Sequence, residues 1–165
     1  MIIRNEDFFT RDAYTVAQDL VGKILHFNGK SLRITETECY IGEEDLACHA
    51  SKGRTKRTEM LYKKGGVCYV YLCYGIHSLI NVITGKEDEP QGVLIRACEG
   101  YEGPGKLTKY LGITCNDNGE SFITSDRIYI EDDGVRFDIE YKKRVGIDYA
   151  GEYWANKLWR FVAKR

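Results

Sequence analysis

The sequence predicts a single α+β domain spanning residues 1–165, built on a curved antiparallel sheet or open barrel with a few short helices. Three observations predict it. Runs with a period of two, or dense in β-branched and aromatic residues, outnumber runs with a helical period. The strand candidates are separated by tight turns, so neighbours in sequence pair antiparallel. No repeat, low-complexity tract or Pro/Ser-rich linker interrupts the chain, whose only prolines are Pro90 and Pro104.

The elements follow in order. Over residues 10–25, Ala13, Val16, Ala17, Leu20 and Val21 recur at the spacing of one helical face, with Thr10 as the expected N-cap. Such a helix packs on something flat. Over residues 31–41 the period changes to two, with Leu32, Ile34, Glu36, Glu38 and Tyr40 on one face and Arg33, Thr35, Thr37, Cys39 and Ile41 on the other. Residues 67–84 read as two strands joined by a turn at Tyr74-Gly75, and residues 92–99 as a third strong strand. Gly103-Pro104-Gly105-Lys106 opens a short helix through Leu111, with proline in its first turn. Its leading N–H groups can hold a phosphate. Residues 127–131 and 135–141 flank Asp132-Asp133-Gly134, a hairpin signature, and residues 149–158 suggest a terminal helix.

Composition excludes several classes. No apolar run approaches the roughly 20 residues of a membrane span, and the first residues carry acids where a signal peptide would have its apolar stretch. An intracellular protein is expected: cytoplasm or nucleoid in a bacterium, nucleus in a eukaryote. The six cysteines lie mostly inside apolar runs and, with the three histidines, show no zinc-ligand spacing. They read as free, mostly buried thiols, with no metal. The net charge of −1 argues against a strongly basic nucleic-acid binder. Yet residues 52–64 gather Lys52, Arg54, Lys56, Arg57, Lys63 and Lys64 against one acid, Glu59. Such a cluster is either a solvated face or a phosphate-binding patch.

Several residues sit awkwardly for a plain core. Glu36, Glu38 and Tyr40 place two carboxylates and an aromatic on one strand face, either as a solvated edge or as a catalytic acid beside a platform. Tyr69, Tyr71 and Cys73 share one face of the next strand, and Tyr74 falls at the turn, where it either caps the barrel or wedges into a partner. Arg96 interrupts the apolar run Val93-Leu94-Ile95 and needs a carboxylate, for which Glu38 is suited. Asn81, between Ile80 and Val82, must be hydrogen-bonded if buried. His49 alone reads as a core histidine.

Taken together, Glu36-Thr37-Glu38-Cys39-Tyr40-Ile41-Gly42-Glu43-Glu44-Asp45, His49, Tyr69-Val70-Tyr71, Tyr74-Gly75 and Asn81 resemble the alkyladenine (methylpurine) DNA glycosylases. Residues 92–97, Gly103-Pro104-Gly105-Lys106-Leu107 and Arg144-Val145-Gly146-Ile147 extend the resemblance almost to Arg165. It implies an open barrel similar to the C-terminal domain of formyltransferases. It also implies that Glu38 is the general base and that Arg96 helps hold the attacking water. Tyr40, His49 and Tyr71 would receive the flipped base, Asn81 would oppose the amino group of normal guanine, and Tyr74 would enter the duplex in its place.

The implied partner is DNA carrying damaged purines, bound by a monomer without cofactor. The physics is consistent: a base in a duplex must be extruded before it is cleaved. Aromatic stacking favours a purine made cationic by alkylation. A carboxylate can both stabilise an oxocarbenium-like sugar and deprotonate water. A lyase would need a desolvated amine, and no lysine stands in an apolar setting by sequence. A monofunctional hydrolase is therefore expected, the alternatives being a non-catalytic damaged-nucleic-acid-binding module or a nucleoside hydrolase. In the family a longer stretch separates the arginine strand from Gly-Pro-Gly-Lys, whereas here only residues 98–102 intervene. Arg54, Lys56, Arg57 and Lys106 are candidates for DNA-backbone contacts.

Overall fold

A computed structural model describes residues 1–165. The chain forms β1 (Ile2–Ile3), α1 (Glu6–Phe9), α2 (Ala13–Leu20), β2 (Ile24–Phe27), β3 (Lys30–Ile41), β4 (Cys68–Cys73), β5 (His77–Ile83), β6 (Gln91–Cys98), α3 (Pro104–Leu111), β7 (Ile128–Glu131), β8 (Ile139–Lys142), α4 (Glu152–Ala155) and β9 (Arg160–Ala163). All strand pairs are antiparallel, in the order β1-β7-β2-β3-β6-β5-β4, with β9 on β3 and β8 on β9. The sheet stays open, because its end strands β1 and β4 do not pair with each other. No helix is long and apolar enough to cross a membrane.

The amphipathic segment is a shorter helix than its pattern suggests. Asp12, not Thr10, caps α2 by accepting from the Thr15 N–H, while Thr10 closes the preceding α1. The helix stops at Leu20, and Ile24–Phe27 becomes β2, turning back into β3 through Asn28-Gly29. Both turn residues have positive φ, at 48° and 84°, as a primed hairpin turn requires. Phe9, Ala13, Val16, Ala17 and Leu20 are fully buried in the main core, and Thr37 Oγ1 donates to the Ala17 carbonyl at 2.7 Å, fixing α2 on β3.

Strict alternation along β3 fails in the middle. The register against β6 shifts between Ile34 and Glu36 and again between Glu36 and Thr37, leaving Thr35 and Arg96 as the extra residues of two adjacent bulges. Leu32 and Ile34 enter the core before the shift and Cys39 after it, so the core-facing parity changes. Glu38 and Tyr40 thereby leave the face that Leu32 and Ile34 occupy.

Two further expectations are corrected. The Asp132-Asp133-Gly134 turn does not join a hairpin, because β7 already has β1 and β2 on its two edges. Its carboxylates instead bind Arg136 and Arg33, and β8 pairs with β9. The terminal helix is reduced to a 3-10 turn, Asp148–Ala150, and the single turn α4, after which Arg160–Ala163 adds to β3 as a strand. All six cysteines are free thiols: Cys39, Cys48, Cys68 and Cys98 are buried, Cys73 is half-buried and Cys115 is exposed.

Candidate active site

The second half of β3, the β4–β5 hairpin, β6, the start of α3 and residues 145–149 enclose a cavity of about 780 Å³. Its wall includes Tyr40, His49, Tyr71, Asn81 and Arg96, with Tyr74 and Lys106 also on its lining. Glu38 stands just behind that wall, fully buried.

Three groups converge on the Glu38 carboxylate. Tyr40 Oη donates to Oε1 at 2.7 Å, the Val145 N–H donates to Oε2 at 2.8 Å, and Arg96 Nε stands 3.6 Å from Oε2. The bulge at Arg96 allows this, since a regular ladder would have set that residue opposite Glu36. Burial pushes the Glu38 pKa above the ordinary carboxylate value, against the Arg96 charge and the two hydrogen bonds. A sealed carboxylate that holds its proton more tightly than usual suits proton transfer. Glu36 belongs to another environment, with Arg160 Nη1 at 3.4 Å from its carboxylate.

Aromatic rings furnish the opposite wall. The His49 and Tyr71 rings meet edge to face with centroids 4.6 Å apart, and Tyr69 lies 5.2 Å from Tyr71. Tyr69, Tyr71 and Cys73 all line the cavity, as their shared strand face requires. His49 Nδ1 is 2.9 Å from Tyr69 Oη. Burial, then the charges of Arg57 and Lys52, lowers the His49 pKa, so the ring is neutral at pH 7. Burial pushes Tyr69 up to about 12, which keeps its proton. In the tautomer in which Tyr69 donates to Nδ1, Nε2–H is the free donor. Asn81 Nδ2 donates to the Tyr69 carbonyl at 3.2 Å, which sets the rotation of an amide on the cavity floor.

Tyr74 is 91% exposed and sits at φ 53°, paired with Gly75 at 67° in the β4–β5 turn. A bulky residue in the left-handed region with its ring in water is costly for the free protein. Leu72 and Ile76 beside it are also exposed.

The basic segment is not uniform. Arg54 is engaged at both ends of its fork, donating to Glu59 at 3.0 and 2.8 Å and to Asp88 at 2.7 Å, with its guanidinium over the Tyr62 ring. Lys56 and Arg57 are exposed, and Arg57 lies close enough to influence His49 and Tyr69.

Lys23 corrects the expectation that no lysine lies in an apolar setting. It is 5% exposed, its nearest carboxylate is Asp132 at 3.9 Å, and burial lowers its pKa. It lines a separate cleft with Arg11 and Arg136, not the cavity behind which Glu38 stands.

Sequence reasoning missed four contributors: Tyr69, the Val145 N–H, and the fully buried Asp45–Arg144 pair. Asp45 and Arg144 are 99 positions apart, so no local pattern could join them. Tyr69 could have been found, because it shares a strand face with Tyr71.

Comparisons with known proteins point to one family. The family model described as methylpurine-DNA glycosylase matches residues 7–103 and 99–165. The two matched segments overlap over residues 99–103, around the short turn bridged by Cys98 and Tyr101 that leads to α3. The chain is 40% identical to a Rickettsia felis protein over 98% of this chain and 93% of that one. It is 43% identical to one from Natranaerobius thermophilus over 96% and 93%. A Borrelia garinii subsp. bavariensis relative is 42% identical over 95% and 94%. All three carry the name "Putative 3-methyladenine DNA glycosylase".

Proposed function

This chain belongs to the methylpurine-DNA glycosylase family, and from that premise we propose that it excises alkylated adenine or guanine, or hypoxanthine, from DNA by hydrolysis. The damaged base leaves the stack and enters the cavity, and the product strand keeps an abasic site.

One observation carries the reading: a fully buried carboxylate, Glu38, held by Tyr40, Val145 and Arg96 directly behind an aromatic cavity. A purine lodged among Tyr40, Tyr71 and His49 gains stacking of about 1–3 kcal/mol, more if alkylation has made it cationic. The C1′–N bond breaks with its electron pair going to the base, while charge builds on an oxocarbenium-like sugar. Glu38 accepts a proton from water as the water oxygen bonds to C1′, and Arg96 helps hold that water. Asn81 opposes the exocyclic amino group of undamaged guanine, and Tyr74 fills the space left in the duplex.

Lys106 and Lys109, the lysines that line the cavity, are solvent-exposed rather than desolvated as an amine nucleophile must be, which supports a monofunctional enzyme. Lys56, Arg57 and Lys106 contact phosphates, and one cavity per chain suits a monomer reading a single lesion.

The test is single-turnover release of free base from duplex oligonucleotides carrying one hypoxanthine or one alkylated purine, in EDTA, with Glu38→Gln alongside. Release by wild type alone, with strands intact until alkali is added, is the expected result. Tight, salt-sensitive binding without release would replace the glycosylase reading with a binding module.

A further inference from the structure

We propose that Arg144, paired with Asp45, is the positioning residue for the Glu38 base, holding two of its three partners in place from outside the cavity. The inference rests on the glycosylase reading above.

Arg144 is fully buried and does not line the cavity. Its fork donates from Nη1 to Asp45 Oδ2 at 2.7 Å and the Cys39 carbonyl at 3.0 Å, and from Nη2 to Asp45 Oδ1 at 3.0 Å and the Trp154 carbonyl at 3.3 Å. Asp45 in turn accepts from the Ile41 and Ala47 N–H groups, each at 3.1 Å. One ion pair therefore ties together the end of β3, the turn leading to His49, and the segment from Arg144 to α4.

Both consequences reach Glu38. The guanidinium carbon lies 4.8 Å from the centroid of the Tyr40 ring, whose hydroxyl donates to Oε1. The residue following Arg144 is Val145, whose N–H donates to Oε2. To the hydrogen bonds that Tyr40 Oη and the Val145 N–H make with Glu38 itself, the fork adds a cation against the Tyr40 ring and an anchor one residue before Val145.

Stability alone does not account for such a pair. Two fully buried charges cost several kcal/mol each to desolvate, and an apolar pair of similar volume commonly serves as well. Apolar neighbours are at hand, since Ala47, Ile147 and Ala150 cluster there with Tyr40 and Trp154. What an apolar pair lacks is direction, and a catalytic carboxylate displaced by about 1 Å can lose about a hundredfold in rate.

The experiment compares wild type, Arg144→Lys and the double variant Asp45→Leu/Arg144→Met by single-turnover base release across pH, lesion-duplex Kd and thermal melting. The double variant is expected to fold, to bind lesion duplex within a few-fold of wild type, and to release base at least about tenfold more slowly. Its acid limb moves to higher pH, because Glu38 loses a hydrogen bond and a nearby cation. Arg144→Lys keeps the charge but not the fork, and falls between the two. A folded double variant with the wild-type rate and an unmoved acid limb overturns the proposal. If the double variant does not fold, the same result in Arg144→Lys overturns it. Absence of base release by wild type would count against the glycosylase reading instead. In that case ¹³C NMR titration of the Glu38 carboxyl still decides the positioning role: an unchanged titration in the folded variant sinks it.

Discussion

Tyr40 Oη donates a 2.7 Å hydrogen bond to Glu38 Oε1, although the two residues stand only two positions apart on one strand. Side chains so placed start about 7 Å apart and usually run parallel. Here the hydroxyl of a cavity-lining ring meets the carboxylate, so the base platform and the buried acid are coupled within one strand.

Glu38→Gln keeps an oxygen for the Val145 N–H and presents an NH2 from which the Tyr40 hydroxyl can accept, but it cannot take a proton from water. Base release should fall by at least about a hundredfold while lesion-duplex affinity stays within a few-fold. Single-turnover kinetics beside a binding titration checks this, and retained release would remove Glu38 from the mechanism.

The raised pKa of Glu38 has two consequences of opposite use. Only the ionised form is a base, so base release should be lost on acidification along a limb lying above the ordinary carboxylate value of 4.5. For stability the sign reverses: the folded state holds this proton more tightly than the unfolded chain. The contribution is present at low pH and lost as pH rises through the folded pKa. Glu38→Gln should therefore melt at or above the wild-type temperature at pH 7.5, with the gap narrowing toward pH 5. A variant less stable at pH 7.5 would contradict that sign.

Tyr74→Gly relieves a left-handed backbone of about 1 kcal/mol and removes an exposed ring. The variant should match or exceed wild type in melting temperature while losing base release from duplex more than from single strands. Equal loss on both substrates would show that Tyr74 is not a duplex wedge.

Charge removal should separate the arginines. Arg57→Ala should weaken duplex binding and reduce the log–log salt slope by about 0.9, the value for one lost phosphate contact. Arg54→Ala, whose side chain is already engaged by Glu59 and Asp88, should leave the slope nearly unchanged. Binding titrations at several salt concentrations distinguish them, and equal slopes for both variants would contradict the assignment.

Asn81→Ser shortens an amide anchored to the Tyr69 carbonyl. Release of undamaged guanine should rise from background while hypoxanthine release changes less. If guanine remains fully excluded, the residue serves the fold alone.

By itself the sequence determined the residue types, the antiparallel strand-rich character and the amphipathic α2, because periods of two and 3.6 are local properties. It also carried Glu38, Arg96, His49, Tyr71, Asn81 and Tyr74 as a set resembling one family, and it showed that Arg96 needed a carboxylate. Other local signals misled: the turn Asp132-Asp133-Gly134 has hairpin chemistry, but β7 had no free edge. Asn28-Gly29 was an equally strong hairpin signal, hidden by the apolar residues that extended the helical pattern past Leu20. Only the tertiary structure decided the register shift that turned Glu38 and Tyr40 from the core toward the cavity and brought Arg96 to Glu38. It alone joined Asp45 to Arg144, and Val145 to Glu38 across 107 positions. A bulge and a long-range ion pair are settled by the packing of several strands at once, and no stretch of neighbouring residues records that balance.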